Sequence, residues 1–124
     1  NKKAREIMRK SDIFVLNSFH EGMPHALIEA LAEGVPVVAT KIPAVLEILT
    51  DKVNGVLVEV DDPEDLKNKI KYLMDSGRAS LARMTLAKNG LKLYKEKFTW
   101  DAHVRELYNI FDEVASDFIG RGSC

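Results

Sequence analysis

Continuous apolar runs alternate along this chain with segments of helical periodicity. The runs cover residues 13–16, 36–40 and 55–60 and consist mainly of Val, Ile, Leu and Ala. Apolar positions that do not alternate with polar ones indicate strands covered on both faces, as in a parallel sheet. Three strands are few, since the mean sheet has about five to six. The pattern therefore predicts a small, mainly parallel sheet that belongs to a larger domain.

Helical spacing appears before and between the first two runs. Residues 2–10 suit a short helix, and residues 24–33 place apolar side chains on one face. Pro24 in the first turn and Gly34 just after the last turn are typical start and stop signals. Strand, helix and strand in this order predict a right-handed crossover unit.

Three further helices are predicted after the third run. Asp62 and Pro63 suit the cap and first position of a helix that continues to about residue 75. A second helix is expected over residues 80–97, weakened by the pair Asn89-Gly90. Together these elements predict an α/β fold with about three mainly parallel strands flanked by helices.

The last helix has the clearest apolar stripe, and Thr99 is its expected cap. Such a long stripe needs a large surface to pack on. Its members recur at helical spacing: Trp100, Val104, Leu107, Tyr108, Phe111, Val114, Ala115 and Phe118.

Net charge and cysteine content exclude several classes of protein. Eighteen basic and nineteen acidic side chains give a net charge of −1, so no global field would attract nucleic acid or an anionic membrane. Cys124 is the single cysteine, which excludes an internal disulfide and a cysteine-based zinc cluster and favours a reducing, cytoplasmic location. Residues 120–124 are interpreted as an appended tail, which leaves residues 1–119 as the domain.

The loop between the first strand and the second helix is the candidate ligand site. Residues 17–23 leave the strand at its carboxyl end, where open α/β sheets bind ligands. The amides of residues 24–27 begin a helix and favour a phosphate. Gly22 allows close backbone approach, Glu21 could reach a ligand hydroxyl, and Glu29 follows on the helix.

The same residues also allow an interpretation without a ligand. Glu21 would then be a solvated loop carboxylate, and Glu29 and Glu33 would form the wet face of an amphipathic helix. His25 suits a surface side chain in a first turn better than a catalytic base. The carboxylates within residues 60–65 are explained by helix capping, so no metal is assigned to them.

Longer motifs in the sequence resemble those of a known protein family. The run over residues 12–40, D-I-F-V-L-N-S-F-H-E-G-M-P-H-A-L-I-E-A-L-A-E-G-V-P-V-V-A-T, is followed by Glu47-Ile48, N-G-V-L-V and D-D-P-E-D-L. Over about residues 4–114 the chain resembles the C-terminal, nucleotide-sugar-binding region of family 4 glycosyltransferases of the GT-B fold. The resemblance implies that the chain forms half of a Rossmann-like domain. At its centre lies the family's two-glutamate motif, matched by Glu21 and Glu29 with seven residues between them. The surroundings also fit: Gly22, Pro24, Ala30, Gly34, Pro36 and Asn54-Gly55.

The resemblance implies a role for each matched residue. Glu21 would lie beside the donor sugar as the catalytic residue, and Glu29 would hydrogen-bond the nucleotide ribose. Backbone amides would hold sugar hydroxyls and the diphosphate, and these are the amides around Gly22, Met23, His25, Ala26 and Leu27. The implied reaction moves a hexose from a nucleotide-diphosphate sugar to an acceptor, a sugar or a lipid-linked sugar, with retention of configuration and without metal or cofactor.

The match is incomplete in two respects. Pro43 and Ala44 occupy places where many relatives carry two glycines. The acceptor-binding domain and the first half of the donor-binding domain have no counterpart in the chain. We therefore expect no useful turnover from this chain alone, although its parent would be a cytoplasmic enzyme or one at the membrane face. We also expect an exposed sheet edge at residues 13–16 that promotes a homo-oligomer.

Two functional hypotheses remain open from the sequence. In the first, the chain is the donor-binding portion of a glycosyltransferase. In the second, it is a non-catalytic half-domain, engineered or degenerate, that folds and self-associates without binding nucleotide sugars. A nucleotide-sugar epimerase of the same fold fits the quoted run less well. Ligand binding would separate the first two hypotheses.

Overall fold

The computed structural model describes residues 2–75 and 78–121, without the side chains of residues 78–80 and 121. Helices and strands alternate in the first half, and three helices complete the described part. The elements are α1 (Lys2–Arg9), β1 (Phe14–Leu16), α2 (His25–Ala32), β2 (Val37–Thr40), α3 (Pro43–Leu46), β3 (Val56–Val58), α4 (Pro63–Met74), α5 (Arg78–Lys97) and α6 (Trp100–Arg121). The α/β fold predicted from the sequence is confirmed, and the short α3 is an addition to it.

The three strands form one parallel sheet in the order β1-β2-β3. Phe14 pairs with Val37, and Val38 pairs with Val56. Every residue of β2 and β3 is buried, as their continuous apolar runs predicted. In β1, however, Val15 is 38% exposed. The expectation of a strand covered on both faces is therefore wrong for β1, which lies at the sheet edge.

Apolar layers cover both faces of the sheet, and they explain the exposure of Val15. On one face Val37 and Ala39 pack with Leu27 and Leu31 of α2. On the other face Leu73 of α4 and Leu86 of α5 form a cluster with Val38 of β2 and with Val56 and Val58 of β3, and Ile13 lies at its margin. Helices α4 and α5 thus cover β2 and β3 but leave the middle of β1 open.

Helix α2 ends just before Gly34, as predicted. Gly34 has a φ of 69°, a left-handed conformation that glycine adopts without strain. Its N–H donates to the carbonyl of Leu31, and the N–H of Val35 donates to the carbonyl of Ala30. These two bonds form a Schellman motif, with buried Val35 and Ala30 as its apolar pair.

Carboxylates cap α4 as predicted. The Asp62 carboxylate accepts a hydrogen bond from the N–H of Asp65 at 3.0 Å, and Pro63 occupies the first turn. The Asp65 carboxylate in turn accepts the N–H of Glu59 at 2.9 Å. Two carboxylates of the acidic run over residues 60–65, those of Asp62 and Asp65, are therefore explained by local backbone hydrogen bonds.

Helix α5 continues without a break through Asn89 and Gly90, so the pair expected to weaken the helix does not interrupt it. A Cβ built on Gly90 would lie 2.8 Å from Cδ2 of Leu31, which means that glycine permits the close approach of α5 to α2. The Asn89 side-chain amide donates to the carbonyl of Val53 at 2.7 Å. Both residues attach α5 to the rest of the fold.

Helix α6 forms as predicted, and the Thr99 hydroxyl accepts the N–H of Ala102 at 3.2 Å. Its apolar stripe stays open, since Trp100, Phe111 and Phe118 are each at least 70% exposed. The helix continues through Gly120 and Arg121, the first two residues of the expected tail. The remainder of that tail, with Cys124, lies outside the described residues.

Candidate functional site

The candidate site lies at the carboxyl edge of the sheet. Residues 17–23 leave the end of β1 and enter α2, the position where open α/β sheets bind ligands. Glu21, Gly22 and Met23 lie in this loop, His25, Ala26 and Leu27 form the first turn of α2, and Glu29 follows one turn later. The structure thus places all seven predicted site residues in one loop and the helix that follows it.

Two hydroxyl groups fix the first part of the loop. The Thr40 hydroxyl, at the end of β2, donates to the carbonyl of Ser18 at 2.6 Å. The Ser18 hydroxyl donates to Oε1 of Glu21 at 2.9 Å. The loop then enters α2 at Pro24, which is buried. Ser18 and Thr40 were not predicted from the sequence, although the spacing of Ser18, three residues before Glu21, could have indicated a contact between them.

Glu21 is half-buried and held by one of its two oxygens. Within the described residues, Oε2 accepts no hydrogen bond. A carboxylate with one oxygen restrained and the other open can accept a hydrogen bond from a ligand hydroxyl. This geometry differs from the freely solvated loop carboxylate of the alternative interpretation.

The tip of the loop is open to solvent. Gly22 is exposed, and a Cβ built on it would meet no atom within 4 Å. Met23 is 57% exposed. Because nothing in the fold requires a glycine at position 22, the bare backbone there is available for close approach by a ligand.

The start of α2 offers fewer free amides than expected from the sequence. Pro24 has no N–H, and the N–H of His25 donates to the carbonyl of Met23 at 2.9 Å. The expectation that residues 24–27 all present free amides is therefore wrong for Pro24 and His25. Within the described residues, the N–H groups of Ala26 and Leu27 have no backbone acceptor. Two such amides, with the partial positive charge of the helix start, are the kind of group that attracts an anion.

Glu29 and Glu33 occupy different environments. Glu29 is exposed and one turn above the helix start. The Glu33 carboxylate contacts Arg9 at 2.8 Å and Arg5 at 2.6 Å, and its side chain is only 5% exposed. Hydrogen bonds from Arg9 and then Arg5 lower the pKa of Glu33. The interpretation of Glu33 as part of a wet helix face is wrong, because its carboxylate joins the end of α2 to α1. Within the described residues, no hydrogen bond or ion pair engages the Glu29 carboxylate.

Lys41 brings a cation to the same edge, and sequence analysis missed it. Its N–H donates to the carbonyl of Val58, so the residue directly follows β2 beside the end of β3. Its ammonium group pairs with the Glu59 carboxylate, and this hydrogen bond raises the pKa of Lys41. Lys41 therefore already has a carboxylate partner before any ligand arrives.

The two residues in place of glycines lie in α3, close after Lys41. Pro43 occupies the first turn of this four-residue helix, and Ile42 before it is extended. Proline fits this position because its missing N–H would have no intrahelical acceptor there. Position 43 therefore cannot donate a backbone hydrogen bond to a ligand.

A separate groove of about 800 Å³ lies away from this edge. Lys52 and Val56, at the beginning of β3, line it together with Lys69 and Tyr72 of α4 and the first turns of α5. Since the beginning of a parallel strand is opposite its carboxyl end, the groove and the candidate site are on opposite edges of the sheet. The loop geometry, rather than the groove volume, identifies the candidate site.

Two further observations concern the described part of the chain. It contains no group of three or more His, Cys, Asp or Glu side chains that could hold a metal ion. None of its helices is both long enough and apolar enough to cross a membrane.

Solved structures of similar fold include proteins in complex with UDP and glycosyltransferases. HepE of Anabaena, solved in complex with UDP, superposes with a TM-score of 0.77 at 22% identity, over 87% of this chain and 29% of that one. The same protein was also solved with UDP-glucose. The C-terminal domain of a glycosyl transferase group 1 family protein, LpcC of Francisella tularensis, gives a TM-score of 0.68 at 34% identity, over 76% of this chain and 47% of that one.

Curated proteins of similar sequence agree with this assignment. An uncharacterised glycosyltransferase of Methanocaldococcus jannaschii is 35% identical over 108 residues, which are 87% of this chain and 30% of that protein. The D-inositol 3-phosphate glycosyltransferase of Salinispora tropica is 31% identical over 113 residues, 90% of this chain and 22% of that protein. This chain therefore spans less than a third of the length of either. The sequence model of the glycosyl transferases group 1 family matches residues 1–92, and the chain belongs to that family.

Proposed function

We propose that the chain is the donor-binding portion of a retaining, family 4 glycosyltransferase and that it corresponds to the C-terminal region of such an enzyme. The observation that carries this proposal is the arrangement of Glu21, two free amides and Glu29 along one loop and helix start at the carboxyl edge of the sheet. Membership of the group 1 family and the UDP-glucose bound by HepE support it.

Each group at the site has a part in binding the donor. The free amides of Ala26 and Leu27 and the helix start attract the diphosphate. Glu29, exposed one turn later, accepts hydrogen bonds from the ribose hydroxyls. Glu21 lies beside the sugar with its free oxygen, and the bare backbone at Gly22 allows the sugar to approach.

The chemistry explains why Glu21 would be the catalytic residue. As the bond between the sugar and the diphosphate breaks, positive charge develops at the anomeric carbon and negative charge on the departing diphosphate. A carboxylate beside the sugar stabilises the first charge, and the amides at the helix start stabilise the second. Neither task requires a metal ion or a cofactor.

Transfer by this chain alone would be slow. The leaving diphosphate would be stabilised by two amides and the helix start. Lys41 is already paired with Glu59, and Pro43 has no N–H to donate. Cationic side chains for the diphosphate and the whole acceptor site would have to come from other parts of a longer enzyme. The acceptor, a sugar or a lipid-linked sugar, would be chosen by those parts in the cytoplasm or at the membrane face.

Donor binding is tested by ligand-observed NMR with uridine, guanosine and adenosine diphosphate sugars. We expect one nucleotide to bind the wild-type chain and to lose its signal with Glu29→Ala. Glu106→Ala, which removes an exposed carboxylate from α6, is the matched control and should bind normally. Equal binding by both variants, or silence across the whole panel, would contradict the proposal.

The alternative function is a self-associating half-domain without donor binding. The outer edge of β1 has no neighbouring strand within the described residues, and Val15 is exposed there. Unpaired strand edges promote pairing with a second chain. We therefore propose a homodimer or larger assembly, compatible with either function. Sedimentation as a monomer at high concentration would rule out self-association.

A further inference from the structure

Thr40 is a buried polar side chain in an otherwise apolar core, with a relative exposure of 1%. Burying a hydroxyl group is unfavourable unless it is hydrogen-bonded. A hydroxyl carries one proton, and the distances decide where it goes: 2.6 Å to the carbonyl of Ser18 against 3.5 Å to the carbonyl of Leu16. Thr40 therefore donates to Ser18.

This bond is not needed to hold the strands together. Strands β1 and β2 are already joined by parallel pairing from Phe14↔Val37 to Leu16↔Ala39. The Thr40 hydroxyl extends the connection two residues beyond that ladder, into the loop that leaves β1. Its effect is on the loop conformation and not on the sheet.

Ser18 transmits the restraint to Glu21. Its carbonyl accepts from Thr40, and its own hydroxyl donates to Oε1 of Glu21 at 2.9 Å. The neighbouring Phe19 and His20 are exposed, and Phe19 reaches 70%. Without the two hydroxyl groups, the flexible Glu21 side chain would sample many rotamers above an open loop.

We propose that Thr40 and Ser18 are positioning residues that hold the Glu21 carboxylate, through the chain Thr40 Oγ1–Ser18 O and Ser18 Oγ–Glu21 Oε1, with its second oxygen toward the donor sugar. The proposal rests on the proposed function, because that function places Glu21 beside the sugar. It adds two residues that do not contact the donor but orient the Glu21 carboxylate toward it.

Three variants isolate the hydroxyl groups. Thr40→Val keeps the shape and the strand preference of the side chain but removes its hydroxyl, whereas Thr40→Ser keeps the hydroxyl and loses only a methyl group. Ser18→Ala removes the second hydroxyl from a half-buried position and is not expected to affect folding. Thr40→Ser is therefore the rescue control for Thr40→Val.

The first measurement compares the affinities of UDP-glucose and UDP, since only the former carries the sugar that Glu21 would contact. We expect Thr40→Val and Ser18→Ala to weaken UDP-glucose binding about tenfold, with UDP unchanged and Thr40→Ser close to wild type. A variant that merely damaged the fold would weaken both ligands equally, and that result, or no change with either ligand, would overturn the proposal.

The second measurement needs no ligand. Backbone ¹⁵N relaxation of residues 17–23 should show larger motion in Thr40→Val than in wild type or Thr40→Ser. Identical motion in all three would overturn the positioning role. If the wild-type chain binds none of the uridine, guanosine and adenosine diphosphate sugars, the proposed function fails, and the role of Thr40 and Ser18 is then decided by this relaxation measurement alone.

Discussion

Replacing Gly90 by alanine should destabilise the protein, although the same change normally stabilises a helix. Inside a solvent-exposed helix, alanine is favoured over glycine by about 1 kcal/mol. Here the new Cβ would lie 2.8 Å from Cδ2 of Leu31, a side chain that is 1% exposed, and 3.5 Å from the carbonyl oxygen of Asn54. The first distance is too short for a methyl contact, so α5 or Leu31 must move.

The two effects have opposite signs and can be compared. An additional carbon in a well-packed core costs about 1–3 kcal/mol, against the gain of about 1 kcal/mol in helix propensity. We therefore expect a net loss of about 1 kcal/mol in the free energy of unfolding. For a chain of 124 residues, this lowers the melting temperature by about 2–6 °C.

Urea unfolding followed by circular dichroism measures this change directly. Gly120→Ala is the matched control, because an added Cβ in that part of α6 meets no atom within 4 Å; this variant should lose no stability. The decisive comparison is a double-mutant cycle with Leu31→Ala, which removes the obstructing methyl group. In that background Gly90→Ala should become neutral or stabilising. Stabilisation of the otherwise wild-type protein by Gly90→Ala would show that the contact with Leu31 does not oppose the added Cβ.

The remaining predictions concern helix termini and one ion pair. Gly34→Ala should cost about 1–2 kcal/mol in thermal unfolding because φ is 69° there, and an unchanged melting temperature would contradict the Schellman motif. Asp62→Ala should cost about 1 kcal/mol in the same assay, with Asp62→Asn as the milder control. Since Arg9 and Arg5 lower the pKa of Glu33, its contribution to stability should be complete above the usual value of 4.5 and fade as the pH falls through the lowered value. The stability difference between wild type and Glu33→Gln should therefore be smaller at pH 3 than at pH 7. An equal difference at the two pH values would contradict this prediction.

Features that depend on neighbouring residues were predictable from the sequence. The strand runs, the stop at Gly34 and the caps at Asp62 and Thr99 each rest on interactions within a few residues. These features follow from local backbone preferences, which do not depend on the rest of the fold. The position of the candidate site was predictable for the same reason, because it requires only a strand, a loop and a helix start in succession.

Features that depend on distant residues were not predictable. The role of Gly90 is set by Leu31, and the environment of Glu33 is set by Arg5 and Arg9. The restraint on Glu21 passes through Thr40, whose hydroxyl reaches the loop only because β1 and β2 pair in a particular register. Each of these contacts is created by tertiary packing, and no local pattern in the sequence indicates it.

Donor binding by the loop and helix start after β1 is tested most directly by titrating ¹⁵N-labelled protein with UDP-glucose, UDP, and the corresponding guanosine and adenosine compounds and following the amide chemical shifts. Donor binding there predicts shifts centred on the amides of Gly22, Ala26 and Leu27, and their loss in Glu29→Ala. Shifts confined to the groove around Lys52 and Tyr72, or equal shifts in the variant, would contradict it.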